Sequence, residues 1–457
     1  MKRTAIAISL CFLGLCGWTQ PDLGVRTGNY SGIQGSLLNP SSIAGSKIRL
    51  DVLAFSVNED FANNFLYAPK GSLPFFGVRR IIKGSIDENL FFTKYDPGNP
   101  NKLYSVVLTG EFLGPSFFIR VKKKHEIGLT TALRGVANIR DITGNAAQNA
   151  FDYLQASNLW NTTFQDQSAR INGMGWMEYG LHYATVLYDD GRNEWKAGIT
   201  LKYEQGLFAA YVKNTHLTYR INDTTGILFT NSSVDYGRTD FGDFRHPGLS
   251  SFTHGHGFGA DLGVTFVHRD HGGDNAYRYR IGLSLLDLGA IDYTRNSASF
   301  HLAAASANFA DWHHAQFADN TQLDQTLSAV FYNGDSARSR VGSSFHMALP
   351  TALSMQADYA ICGPWFANLT IIKGFGHGGN AGVVQPDVYA VTPRYETEHY
   401  EVSLPISVVY YGHWQPRVGL ALRVWYFFIG GDAPGALLKL NDLRQVSFYS
   451  GLHYFIK

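Results

Sequence analysis

Between Trp195 and Glu204 the chain alternates strictly: Trp195, Ala197, Ile199, Leu201 and Tyr203 are apolar, whereas Lys196, Gly198, Thr200, Lys202 and Glu204 are charged, polar or small. Successive side chains of a β-strand point to opposite faces, so this stretch predicts a strand with one apolar and one polar face. Its apolar face begins and ends with an aromatic residue, about one bilayer-core height apart on a tilted strand. The rhythm recurs. Phe258, Ala260, Leu262, Val264 and Phe266 oppose Gly259, Asp261, Gly263 and Thr265, and Met177, Tyr179, Leu181, Tyr183 and Leu187 oppose Glu178, Gly180, His182 and Ala184. Tyr279, Ile281, Leu283 and Leu285 oppose Arg278, Arg280, Gly282 and Ser284, while Ile127, Leu129 and Leu133 oppose Gly128, Thr130 and Arg134. A soluble sandwich alternates too, but with an outer face rich in Lys and Glu. Here the non-apolar face is mostly Gly, Thr and Ser with spaced charges. That composition predicts the lumen of an all-β, transmembrane antiparallel β-barrel whose apolar face meets lipid.

Connections alternate as well. Tight ones fall at Lys122 to Glu126, Asp189 to Glu194, Asn222 to Gly226, Cys362 to Pro364 and Glu396 to Glu398; long ones at Glu59 to Asn101, Asp141 to Ile171, Gly237 to Gly255 and Gly289 to Arg340. Transmembrane barrels keep short turns on the periplasmic side and long loops outside, which predicts periplasmic termini. The expected strands are 47–58, 103–121, 126–140, 172–188, 195–208, 211–222, 226–236, 256–268, 277–288, 341–361, 365–374, 386–395, 398–411, 416–424, 425–431 and 445–456. These make about 16, with 14 as the alternative because the break near Val424 and Trp425 is weakly marked. Two loops carry helical spacing: Asn145 to Leu159, through Ala146, Ala150, Tyr153 and Leu154, and Thr321 to Tyr332, through Leu323, Leu327, Val330 and Phe331. Short helices in extracellular loops are expected there.

The beginning of the chain changes the setting. Lys2 and Arg3 precede an apolar run from Thr4 to Gly17, too short to span a bilayer as a helix, and Gly17 and Thr19 are small residues of the kind a signal peptidase reads. Residues 1–19 are therefore expected to be a cleaved signal peptide, with export to the outer membrane. A lipoprotein leader is the competing reading, since Cys11 and Cys16 lie in or beside the apolar run, but each follows a Leu where a small residue is required. Cleavage leaves Cys362 as the sole cysteine, so no internal disulfide can form. It also leaves 36 basic residues against 37 acidic ones, a balance without the basic excess of a nucleic-acid binder. With 31 Phe, 25 Tyr and 48 Gly among 457 residues and only 16% charged, the composition fits many strands. No mature segment supplies the roughly 18 consecutive apolar residues of a membrane helix.

Asn29 to Ala44, read with Leu113 to Phe117, Leu285 to Gly289, Ala348 to Ser354 and Pro416 to Arg423, resembles an uncharacterised family of Bacteroidota outer-membrane barrels assigned to a domain of unknown function. The resemblance spans nearly the whole mature chain. More distantly, Asn39 and Pro40 soon after the leader, followed by a barrel, are similar to fatty-acid-transporter-type and secretion-associated barrels. In such relatives the segment before the first strand tucks into the lumen, so the resemblance implies a plug over residues 20–46, containing Asn39 and Pro40, ahead of a barrel over 47–457. Taken alone, Asn-Pro is a common turn starter. The family brings no established activity and no functional residue.

Other constellations carry little chemistry. Gly374, Gly376 and Gly379 have dinucleotide-loop spacing, but Pro386 and two Val follow where a helix should open, so a surface loop is expected. His254, His256, His268, His271, His313, His314 and His377 fall in or beside loops without the converging ligands a metal requires. Lys122, Lys123 and Lys124 read as solvated turn residues. His182 and Glu178 share the polar face, but no nucleophilic elbow accompanies them; Phe345 and His346 break the pattern after Gly342, Ser343 and Ser344. Neither cofactor, metal nor catalytic residue is expected. The expected lumen lining is Glu111, Arg134, Glu178, His182, Lys196, Lys202, Glu204, Arg220, Asp261, Arg278 and Arg280, charges that either pair with one another and the plug or line a solute passage. The expected partners are outer-membrane lipids, with a small hydrophobic or amphipathic molecule as transported solute. A scaffold docking a secretion or gliding machine or a surface lipoprotein is the alternative, and an outer-membrane enzyme comes last. Intact-mass measurement of the exported protein should find Gln20 as its first residue; an acylated Cys16 there would instead establish a lipoprotein.

Overall fold

The computed structural model describes residues 22–71, 91–152, 154–166, 168–223, 226–240, 253–270, 277–312, 315–378, 380–436 and 438–457. Its long strands are β1 (Leu50–Asn63), β2 (103–122), β3 (His125–Thr143), β4 (Arg170–Asp189), β5 (Asn193–Ile221), β6 (Gly226–Thr239), β7 (Gly255–His268) and β8 (Tyr279–Tyr293). They continue with β9 (Ser297–Ala310), β10 (345–362), β11 (Trp365–Gly374), β12 (Asp387–Glu396), β13 (400–410), β14 (414–424), β15 (Phe427–Gly431) and β16 (Gln445–Ile456). Fourteen of them, all but β6 and β9, form one closed antiparallel barrel, β16 pairing back onto β1 from Leu50↔Ile456 to Ala62↔Gln445. Closure leaves the barrel no edge, so its strand backbones are hydrogen-bonded without water. Among the described residues no helix is long and apolar enough to cross a membrane, and crossing falls to the strands.

The expected count of 16 is corrected to 14, and the error does not lie at the weakly marked break. Trp425, with φ of 54°, does turn the chain between β14 and β15. The two surplus strands arise instead from 195–222 and 226–236. Between Leu207 and Tyr211 no Pro or Gly interrupts the chain, and 193–221 runs as one strand of 29 residues. Its first half pairs with β7, from Asn193↔His268 to Gly206↔Gly255, but its second half leaves the barrel and pairs with β6. Strand β6 pairs in turn with β9, from Gly226↔Ala310 to Thr239↔Ser297. Strand β9 lies within a stretch expected to be a plain loop. These three ribbons and helix α2 (Asn320–Phe331), which Asp319 caps by accepting from the Gln322 amide at 2.8 Å, form an extension packed on Leu302, Ala307 and Phe331. The turn at Asn222 to Gly226 therefore stands at the extension tip, on the long-loop side.

The remaining tight turns share the other end with the start of β1 and the end of β16. In one of them Asp190 accepts the Asn193 and Arg192 amides at 2.6 and 2.9 Å, which hold its carboxyl down to about 2. Helix α1 (Gly144–Phe151) begins the expected helical loop on the opposite side, although Tyr153 lies outside the described residues. Outward positions are apolar throughout the band: Leu201 is 54% exposed and Phe258 74%. Rings meet along both rims, Trp195 on Phe266 at 4.9 Å and Trp365 on Tyr395 at 5.2 Å near the tight turns, Tyr179 on Tyr203 at 6.2 Å and Tyr410 on Trp414 at 4.8 Å near the loops. Amphipathic rings at two levels flanking an aliphatic band are how a barrel wall matches a bilayer.

The corrected topology is checked by single cysteines in a Cys362→Ser background. Asp223→Cys and Asn99→Cys should react with an impermeant maleimide from the same side of the membrane, and Lys123→Cys only from the other. Labelling of Asp223→Cys together with Lys123→Cys would restore the longer strand count.

Candidate functional site

Residues 22–48 lie within the barrel wall rather than outside it. An irregular segment in a lumen exposes backbone groups that water cannot serve, and the wall side chains serve them instead. Asp51 accepts the Ile33 amide at 2.7 Å, Glu396 that of Asn29 at 3.0 Å, Glu126 that of Gly45 at 3.1 Å and Asp432 that of Leu23 at 3.3 Å. Donors meet the carbonyls: Arg280 reaches Thr27 at 2.7 Å, Ser284 reaches Leu38 at 2.6 Å and Arg120 reaches Ser46 at 2.5 Å. Val25, Tyr30, Ile33, Ile43 and Ile48 pack on Leu53, Phe118, Ala184 and Phe428 in an apolar cluster.

Asn39 and Pro40 sit where that segment touches the opposite wall. Asn39 caps a short 3-10 helix (Pro40–Ile43), accepting from the Ser41 amide at 3.0 Å, while its Nδ2 donates to the Val264 carbonyl at 3.2 Å. The turn-starting role of the dipeptide and its contact with the wall thus coexist. Three glycines make the contact possible. A Cβ on Gly198 would lie 2.4 Å from the Pro40 carbonyl carbon, one on Gly263 2.2 Å from Asn39 Oδ1 and one on Gly282 2.6 Å from Asn39 Nδ2. The small residues of the polar face here seat a chain segment instead of lining open water.

Next along the axis is a layer of buried charges. Arg134 binds both oxygens of Asp287 at 2.8 Å and Glu178 at 2.6 Å; Lys202 binds Asp287 at 2.6 Å and Asp261 at 2.9 Å. Arg26 extends the network from the N-terminal segment, joining Glu111 and, at 3.1 Å, Asp22. Glu204 is buried beside this layer and makes no hydrogen bond to another described residue. Asp287 was missed because it falls on the apolar phase of its strand. A bulge opposite Asp261 turns it inward: the register jumps between Ala260↔Leu288 and Leu262↔Leu285, Asp287 takes a φ of 53°, and its amide donates to Asp261 at 2.7 Å. A charge inside Leu285 to Gly289, with Gly289 behind it, was the available signal.

Of the expected lining residues, Glu111, Arg134, Glu178, Lys202, Glu204 and Asp261 meet in or beside this layer, and Lys196 and Arg280 lie nearer the tight turns, bound to Glu194 at 3.0 Å and Asp358 at 3.2 Å. Two do not face the lumen. Arg220 stands in the extension, bonded to Asn222 at 2.8 Å, because β5 outruns the barrel. Arg278 precedes β8 and lies 4.5 Å over the ring of outward-facing Tyr359. His182 is buried with both ring nitrogens 2.9 Å from the hydroxyls of Thr130 and Thr200. His254 is buried against the Arg295 carbonyl rather than solvated, and His256, His268 and His377 hold separate partners; His271, His313 and His314 lie outside the described residues. Gly374 ends β11 and Gly376 lies in the following loop, which opens no helix; Gly379 lies outside the described residues. That loop folds over the mouth, Val384 N donating to Asn138 at 2.7 Å and Val383 joining Val136, Trp176, Tyr293 and Met347 in an apolar layer.

Three openings follow one another along the axis. One of about 170 Å³ lies toward the tight turns beside Lys196 and Asn368, one of about 50 Å³ beside Lys202 and Ile372, and one of about 420 Å³ at the loop side beside Lys213 and His377. Arg26 and Leu38 border both of the first two, and the stretch through Val384 and Gln385 stands between the last two.

The model of a family described as a family of unknown function (DUF5723) matches residues 44–432. Among solved structures, the TodX deltaS2S3 mutant monoaromatic hydrocarbon channel is similar at 8% identity, covering 93% of this chain and 94% of that one with a TM-score of 0.43. A Pseudomonas aeruginosa FadL homologue aligns at 9% identity over 92% of each chain with a TM-score of 0.41. The translocator domain of autotransporter NalP from Neisseria meningitidis aligns at 10% identity over 94% of this chain and 96% of that one, with a TM-score of 0.35. No match was found among curated protein sequences.

Asp287→Asn removes the carboxylate that Arg134 and Lys202 share, leaving both cations under-compensated in a buried layer. Urea unfolding followed by tryptophan fluorescence should show a loss on the order of 3 kcal/mol. Glu398→Gln, which breaks the exposed pair with Lys457 at 2.6 Å, should change little.

Proposed function

The chain belongs to this family of unknown function, and from that premise we propose that it is an outer-membrane barrel passing a small amphipathic molecule, closed at rest by residues 22–48 acting as a plug. The observation that carries this reading is the series of three openings. A wall built only to hold loops needs no string of cavities along its axis, and two narrow partitions divide this one. The partition at Arg26 and Leu38 belongs to the N-terminal segment, so a shift of that segment joins the first two openings. The partition at Val384 and Gln385 belongs to a loop rather than a strand and moves without breaking the barrel. Both belong to segments outside the strands, held by side-chain bonds and an isolated bridge rather than by a continuous ladder.

The extension built by β5, β6, β9 and α2 favours the second reading, a scaffold that docks a secretion machine or surface lipoprotein. It stands beyond the lipid band, and only its root, through Tyr211 and Lys213, borders the loop-side opening. An enzymatic role has less support: both nitrogens of His182 are taken by threonines and Glu178 is committed to Arg134 and Lys202.

Proteoliposome uptake of small amphipathic solutes tests the choice. The wild-type barrel should pass them slowly, and Gly198→Leu, which forces Pro40 off the wall, should raise the rate several-fold while the barrel stays folded. A solute-tight barrel in both forms would defeat the transport reading and leave the scaffold.

A further inference from the structure

We infer that the loop-side opening is a binding site for the phosphate or carboxylate group of a small soluble anion, held by Arg140, Arg170 and Lys213. Register alone brings these residues together. Arg140 on β3 pairs with Arg170 on β4, and Arg170 pairs with Lys213 on β5. Directly paired residues share a face of the sheet with Cβ atoms about 5 Å apart, so three cations stand abreast, and all three line the opening of about 420 Å³.

Like charges directly opposite one another destabilise a sheet unless something sits between them. The cations of the central layer are neutralised by Glu178, Asp261 and Asp287. This row is not. Among the described residues no carboxylate lies within 4.0 Å of any of the three; Arg140 rests 5.6 Å over the Tyr411 ring and Arg170 donates to the Gly378 carbonyl at 2.6 Å. Asp141 is the one carboxylate among the described lining residues. Asp235, the partner of Lys213 across β6, is bound to His301 at 2.6 Å. His377 spends its Nε2 on the Val383 carbonyl at 2.7 Å.

The remaining features are those of a pocket for a small polar ligand. Two guanidinium forks suit the paired oxygens of a phosphate or carboxylate, and an ammonium adds a mobile third donor. Asn172, Tyr211 and Asn380 offer hydrogen bonds to the rest of the molecule, and the loop through Val384, tied to Asn138, supplies a floor. The row is on the inner face and opens toward the loops, away from lipid, so the ligand arrives from water. Binding there requires no passage through the barrel, and the site stands apart from the transport reading.

Calorimetry on the purified full-length barrel in detergent, with glycerol 3-phosphate, glycerate and glycerol as matched probes, tests the assignment. At least one anion should bind and glycerol should not, and added salt should weaken the affinity. Arg140→Gln and Lys213→Gln, neither of which removes a hydrogen bond seen among the described residues, should each weaken it about tenfold. Arg170→Gln should abolish binding and, because it also removes the bond to the Gly378 carbonyl, lower the unfolding temperature of the free protein slightly. Absence of binding by both anions, equal binding of glycerol, or unchanged affinity in all three variants would overturn the site. A fall in the unfolding temperature of Arg170→Gln without loss of binding would do the same, marking the row as purely structural.

Discussion

Everything inside this barrel depends on one constraint: a polar or charged group sealed within a closed wall must find its partner in the protein. The wall cannot rearrange to meet water, since each strand is pinned by hydrogen bonds on both sides. Arg134 and Lys202, converging on Asp287, meet that requirement at mid-height. The same rule repeats at other levels, where Arg394 binds Asp358 at 2.7 Å and Arg417 binds Asp60 at 2.5 Å, in each case across strands. Pairing of this kind contributes less to stability than it appears to on a contact diagram, because desolvation of both ions offsets most of the attraction. Its larger consequence is specificity of register: slipping any of these strands by one residue would bury an unmatched charge.

The N-terminal segment obeys the same rule by a different route. It has no sheet of its own, so its amides and carbonyls are answered one by one by Asp51, Glu126, Glu396, Arg120, Arg280 and Ser284 from strands spread around the circumference. Close approach is bought with glycine. Gly198, Gly263 and Gly282 are inner-face positions on three neighbouring strands, and together they form the shallow seat of Asn39 and Pro40. The interrupted places in the wall serve the interior too. Leu285 to Gly289 bulges to turn Asp287 inward, and Leu349 to Thr351 breaks β10 beside it, the Thr351 hydroxyl donating to the Asp287 carbonyl at 2.7 Å.

Against the ion pairs of the central layer, the row of Arg140, Arg170 and Lys213 at the loop-side mouth stands out by contrast. The apolar layer of Val136, Trp176, Tyr293, Met347 and Val383 lies in the same loop-side part of the lumen. A chain that pairs Arg134, Lys202, Arg394 and Arg417 with carboxylates and leaves three like charges abreast at an accessible level keeps a local conflict of the sort that functional sites retain.

The sequence by itself determined the class of structure and the division of its faces. Period two with aromatic ends, as in Trp195 to Tyr203, is enough to say that odd positions meet lipid and even ones the interior, because in a strand that assignment is local. The turns at Lys123, Asp190 and Gly363 were legible for the same reason, and so was the helix near Thr321. Tertiary structure decided what local pattern cannot carry. Strand count depended on where β5 leaves the barrel: the strand runs on past Gly206 through a bulge at Leu207 that reverses its faces, as its partner switches from β7 to β6. Asp287 faces inward only because a bulge shifts its phase. The cation row exists only in register, since Arg140, Arg170 and Lys213 are far apart in sequence and are made neighbours by the pairing of three strands.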